Sequence, residues 1–259
     1  MNIPWDIVGD SVVAGLLASL ACGFGVAPLL LRRLDPTRHI GVGYGFAGGL
    51  MVSASVYNLI YPGLTGGQAD MRFAPVLGVT FGILAGALLI WAVDRWLRGK
   101  DFESGSWSGF GGRASILIFL AMSVHSIPEG VAVGVGYASQ AMYDNELGLY
   151  IALAIGIHNV PEGLAVAIPL RAAGARLPWC FLAAFLTSLP QPIAAIPASI
   201  ASWLFRPIMP IMMGFAAGAM IFLVLLELIP DALSRTTAAV NAWAFTLGFC
   251  LMLLIQVLL

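Results

Sequence analysis

The sequence predicts an all-α integral membrane protein with eight transmembrane helices. Three observations lead there. The chain is 60% hydrophobic and only 10% charged, where soluble proteins carry about 25% charged residues. Its apolar residues fall into eight runs, each near the roughly 20 residues that a helix needs to cross a bilayer. Its basic residues gather in alternate loops. The mean hydropathy of +0.94 agrees with a polytopic chain, and a net charge of −1 gives no reason to expect a nucleic-acid partner.

The first span covers about 7–31 and starts behind Asp6 and Asp10 with no basic segment ahead of it. It is therefore expected to be a retained span and not a cleaved signal. The second, about 40–61, carries the small-residue run Gly45–Met51, and the third covers about 75–97. The loop 98–113 (GKDFESGSWSGFGG between its two arginines) reads as a flexible cytoplasmic linker, without His or Cys to bind metal. Spans four (about 114–138) and five (about 147–170) are treated below. Spans six (about 178–204) and seven (about 210–229) run through Pro178, Pro190, Pro192, Pro197, Pro207 and Pro210, so bent or broken helices are expected there. The eighth covers about 240–258.

Orientation follows from the arginines and the lysine. Alternate loops carry Arg32, Arg33, Arg38, Arg95, Arg98, Lys100, Arg113, Arg171, Arg176 and Arg235, ten of the twelve basic residues. The other loops carry Arg72 and Arg206. The ten mark the cytoplasmic side, which puts both termini on the extracytoplasmic side. On that side Asp70, Asp144 and Glu146 read as solvated loop charges.

Two internal repeats organise the chain. Gly45–Met51 (GFAGGLM) resembles Gly214–Met220 (GFAAGAM) at an offset of 169, continuing into Asn58–Pro62 against Glu227–Pro230. Five spans precede the second unit, so units of three would be inverted relative to each other, in a 3+2+3 plan. Inverted repeats flanking a midplane site are a transporter arrangement.

The second repeat carries the chemistry. His-Ser-Ile-Pro-Glu-Gly at His125–Gly130 nearly matches His-Asn-Val-Pro-Glu-Gly at His158–Gly163, using two of the chain's three histidines. Each motif puts an imidazole and a carboxylate four residues apart, on one helix face. Pro128 and Pro161 free the carbonyls of Val124 and Ile157 and open space beside the histidines. Ionisable groups inside a membrane are costly, so they are functional candidates. His125, Glu129, His158 and Glu162, with Ser126 and Asn159 beside them, suit zinc and other first-row divalent ions; calcium or magnesium would call for oxygen ligands alone. Binding needs neutral imidazoles, so acid should reduce it. The alternatives are polar glue between helices and a proton relay. Cys22, Cys180 and Cys250 are isolated and read as packing residues.

These motifs, spans and loops resemble the Zrt/Irt-like (ZIP) divalent-metal transporter family, in its bacterial branch with paired H-N-x-P-E-G motifs. The resemblance covers essentially the whole chain and implies one transporter domain over 1–259 in a bacterial inner membrane. It implies movement of Zn²⁺, and also Cd²⁺, toward the cytosol by alternating access, with spans two, three, seven and eight as a stationary wall. Small-residue surfaces such as Gly45–Gly49 and Gly214–Gly218 would allow sliding, a motion that sequence alone does not establish. The primary site would be His125, Glu129, His158 and Glu162, joined by Met51 at the family's thioether position. For a secondary site or the pathway, the matched positions are Ser126, Asn159, Gln191, Asn58 and Glu227. Ser126 stands where Asn is frequent, Gln191 at a carboxylate position, and Leu226 where the family has His. One strong site and a weak or absent second one are expected. The partners are then divalent metal ions and the lipid bilayer, with a homodimer as the candidate assembly and no resident cofactor or catalytic residue. The competing expectation, a zinc-dependent intramembrane hydrolase, lacks an H-E-x-x-H motif and a separate general base.

Overall fold

The computed structural model describes residues 4–30, 36–65, 73–98, 113–143, 146–172 and 174–258. Every regular element among them is helical: α1 (Trp5–Phe24), α2 (Pro36–Ala54), α3 (Tyr61–Thr65), α4 (Phe73–Arg98), α5 (Arg113–Tyr143), α6 (Leu147–Ala172), α7 (Leu177–Ser188), α8 (Pro190–Leu204), α9 (Met209–Leu223), α10 (Ile229–Arg235) and α11 (Ala238–Leu258). A π-helical turn, Ser55–Ile60, joins α2 to α3, and a second, Val224–Leu228, joins α9 to α10. Six stretches among the described residues are long and apolar enough to cross a membrane: Trp5–Leu30, Pro75–Trp96, Leu147–Ile168, Leu177–Leu204, Met209–Arg235 and Ala238–Ile255. The linker residues 99–112, with Asp70 and Asp144, lie outside the described residues.

Several prolines sit where a missing N–H costs least, while Pro128 and Pro197 lie inside helices. Pro178, Pro190 and Pro210 lie in the first turn of a helix, where no intrahelical partner is due. The expected break in span six falls at Leu189, between α7 and α8. Span seven does not break. It widens into the π turn ahead of Pro230 and continues to Arg235, several residues past the expected end. Span two does the same ahead of Pro62 and reaches Thr65. A π turn is a usual way for a helix to absorb such a residue, and such turns concentrate at functional sites.

Helices α2, α4, α9 and α11 pack through glycine. A Cβ at Gly82 would overlap the Ile211 carbonyl, and one at Gly214 the Val79 carbonyl, so α4 and α9 meet backbone to backbone. Gly49 and Gly248 bring α2 and α11 together in the same way, against Phe245 and Phe46. The runs Gly45–Gly49 and Gly214–Gly218, expected to allow sliding, face α11 and α4 respectively. Those surfaces pack α2 on α11 and α9 on α4, within one group of helices.

The remaining helices, α1 and α5 to α8, form a second group. Ser19 Oγ donates to the Ser188 carbonyl at 2.8 Å, joining α1 to α7. Gly163 of α6 lies against the backbone of Cys22 in α1, and Gly130 of α5 lies against that of Gln191 in α8. Between the groups runs an apolar cluster that includes Met51, Ala132, Ile151, Ile155 and Met220. Leu77, Phe81, Leu84 and Leu88 of α4 and Trp243, Leu247 and Leu254 of α11 point outward, the faces that lipid would cover.

Candidate metal centre

Glu129 lies one turn past His125 on α5, and His158 and Glu162 lie one turn apart on α6. Close packing at Gly130 and Gly163 sinks both helix segments into the second group. Glu129, His158, Asn159 and Gln191 are fully buried and Glu162 is nearly so. Burying ionisable groups this deeply is costly unless each is paired or meets a metal.

His158 Nε2 lies 2.8 Å from Glu129 Oε1 and 4.0 Å from Glu162 Oε1. One ligand atom from each of the three falls within 4.8 Å of the others. Ligands of a single tetrahedral zinc, bound at about 2.0–2.2 Å, stand roughly 3.3–3.5 Å apart. The two His158 separations bracket that value, so small side-chain shifts bring the trio to ligating distance. Two carboxylates also balance the double charge of the ion.

The second oxygen of Glu129 is held from α8: Gln191 Nε2 donates to Glu129 Oε2. Gln191 Oε1 in turn accepts from Asn159 Nδ2 at 3.2 Å, and Asn159 Nδ2 also donates to the Ala18 carbonyl at 2.9 Å. Asn159 Oδ1 is buried and has no hydrogen-bond partner among the described residues. Such an acceptor calls for an ion or water.

The other residues singled out from sequence are distributed as follows. The side chain of His125 lies outside the described residues. Ser126 is tied to backbone, its Oγ shared between the carbonyls of Met122 at 3.0 Å and Thr187 at 2.9 Å. Met51 is fully buried on α2 in the apolar cluster. Asn58 is buried in the first π turn and lines a small cavity with Ala54, Leu59, Ala132, Ile151, Ala154, Ile155 and Met220. Glu227 sits half-buried in the second π turn, and Glu146 is exposed and accepts from the Tyr150 hydroxyl at 3.2 Å.

Helices long and apolar enough to cross a membrane thus surround a buried Glu-His-Glu cluster whose donor set fits a divalent metal ion. The family model described as ZIP zinc transporter matches residues 111–256. The chain is 33% identical over 257 residues to the zinc transporter GufA of Myxococcus xanthus, covering 94% of this chain and 98% of that one. It is 35% identical over 256 residues to the zinc transporter ZIPB of Bordetella bronchiseptica, covering 96% of this chain and 81% of that one. A protein of Arabidopsis thaliana is 34% identical over 90% of this chain, which spans 36% of that protein's length. The chain belongs to the ZIP zinc transporter family. That is a family of transporters and not of enzymes, and the hydrolase expectation finds no support.

Proposed function

We propose that this chain carries Zn²⁺ and related divalent ions, Cd²⁺ among them, across a bacterial inner membrane toward the cytosol. The observation that carries the proposal is the buried trio Glu129, His158 and Glu162, contributed by two consecutive helices. A partly hydrated ion passes Asn58 and Glu227, sheds water, and is held by Glu129, His158 and Glu162 with His125 and Met51 as further ligands.

The architecture proposed is one unit over 1–259, of eight spans in a 3+2+3 plan with both termini extracytoplasmic. Several relationships support an inverted repeat at the offset of 169. Both π turns obey it, Ser55–Ile60 against Val224–Leu228. Asn159 Nδ2 donates to the carbonyl of Ala18, and Ser126 Oγ to that of Thr187. These are equivalent bonds if positions 126 and 159 correspond, as the two motifs do, and 18 and 187 correspond by the repeat. Alternating access then moves α1 and α5 to α8 against the glycine-packed group of α2, α4, α9 and α11, along their apolar boundary. A homodimer is the proposed assembly.

The test is flux of Zn²⁺ and Cd²⁺ into liposomes containing the purified chain. Flux is expected from the native chain and not from Glu129→Ala combined with Glu162→Ala. Undiminished flux in that double variant removes the site. An anomalous-scattering map from metal-soaked crystals gives the ligands directly.

A further inference from the structure

Gln191 and Asn159 form a chain of hydrogen bonds whose direction is fixed from one end. The Ala18 carbonyl of α1 can only accept, so the Asn159 group facing it is the amide nitrogen. The same nitrogen gives its other hydrogen to Gln191. Gln191 must therefore turn its oxygen toward Asn159, and its nitrogen is left facing Glu129. Glu129 Oε2 accepts that bond, and Oε1 is turned to His158 at 2.8 Å. Every member is buried, so water does not compete with any link.

We propose that Gln191 and Asn159 are positioning residues for the metal: acting through one another, they hold Glu129 as an anionic ligand with Oε1 presented beside His158. Gln191 is thus a donor that sets the geometry of a carboxylate, and not a weakened ligand. The position related to Gln191 by the 169-residue offset is Cys22, whose backbone packs on Gly163 as that of Gln191 packs on Gly130. A thiol is a weak donor and supplies no equivalent amide clamp beside Glu162.

The inference rests on the metal-site proposal above, and the experiment separates the two. Zn²⁺ binding to the full-length chain in detergent is measured by calorimetry, and Co²⁺ binding by its visible ligand-field spectrum. Outer groups that orient a ligand are typically worth 10–100-fold in affinity. Gln191→Met, which keeps length but loses the donor, is expected to weaken Zn²⁺ binding about 10–100-fold and to alter the Co²⁺ spectrum. Asn159→Ala is expected to weaken binding in the native background and to add less than about threefold in the Gln191→Met background, because it acts through Gln191. A folded Gln191→Met chain with native affinity and spectrum overturns the inference alone, as does full multiplication of the two effects. Native protein that binds no Zn²⁺ overturns the metal site and the inference together. If Gln191→Met does not fold, Asn159→Ala decides: weaker binding with an altered Co²⁺ spectrum supports the inference, and unchanged binding overturns it.

Discussion

Glu129 and His158, 29 residues apart on neighbouring helices, join carboxylate oxygen to imidazole nitrogen at 2.8 Å with both side chains fully buried. The pairing runs across the two motifs. Within the second motif, His158 and Glu162 stand farther apart, at 4.0 Å. Among the described residues the two motifs are thus joined in one cluster of Glu129, His158 and Glu162.

Removing either acid should therefore disable the whole centre. Glu129→Gln keeps the shape but takes away one negative charge, leaving a divalent ion undercompensated in a low-dielectric site. Zn²⁺ flux in liposomes is expected to fall at least about tenfold, the size of a loss of roughly 1.4 kcal/mol in binding. Glu162→Gln should do the same. A variant of either that keeps more than half the native flux would show that its carboxylate does not hold the ion.

Packing around the centre makes a second prediction. A Cβ at Gly163 would collide with the Cys22 carbonyl, whereas at Gly156, two turns away on α6, nothing lies within 4 Å. Gly163→Ala should cost about 1–3 kcal/mol through overpacking. Gly156→Ala should stabilise the chain by about 0.4–1 kcal/mol by restricting the unfolded state. Thermal unfolding in detergent checks both, and the expected result is opposite shifts in Tm. Equal shifts would mean that α1 and α6 do not meet at Cys22.

Much of this was legible in the sequence, and the reasons are specific. The all-helical, membrane-spanning character shows, with six such stretches among the described residues, because apolar runs need no partner to be recognised. Glu129, His158 and Glu162 show because a duplicated spacing of four is visible in one dimension. The Glu129–His158 bond was not legible, since spacing within a motif says nothing about how two helices rotate against each other. The π turns have no propensity signature, although the 169-residue repeat and the trailing Pro62 and Pro230 mark where they fall. Gln191 was read as a depleted ligand because its partner lies on another helix 62 residues away. The glycine runs at Gly45–Gly49 and Gly214–Gly218 were read as surfaces that allow sliding, and the helices they face, α11 and α4, were not visible in one dimension.

Metal should stabilise the fold as well as cross it. An ion bound only by the native chain adds RT ln(1 + [L]/Kd), about 2.7 kcal/mol at a hundred times Kd. Zn²⁺ is expected to raise Tm, a chelator to reverse the rise, and Glu129→Ala with Glu162→Ala to abolish it. A zinc-induced rise of native size in that double variant would place the stabilising ion elsewhere on the chain.

Glu227 tests the pathway separately from the centre. It stands half-buried in the π turn that corresponds to the turn holding Asn58. A carboxylate there raises the local concentration of cations without contributing to the Glu129–His158–Glu162 cluster. Glu227→Gln should therefore raise the KM for Zn²⁺ flux about three- to tenfold, on the order of 0.7–1.4 kcal/mol. Equilibrium binding of Zn²⁺ at the centre should stay near native. Because attraction of this kind is screened over roughly 8–10 Å at physiological salt, the KM effect should shrink as ionic strength rises. A loss of equilibrium binding in Glu227→Gln would instead make Glu227 a ligand, and would join the second π turn directly to the buried site.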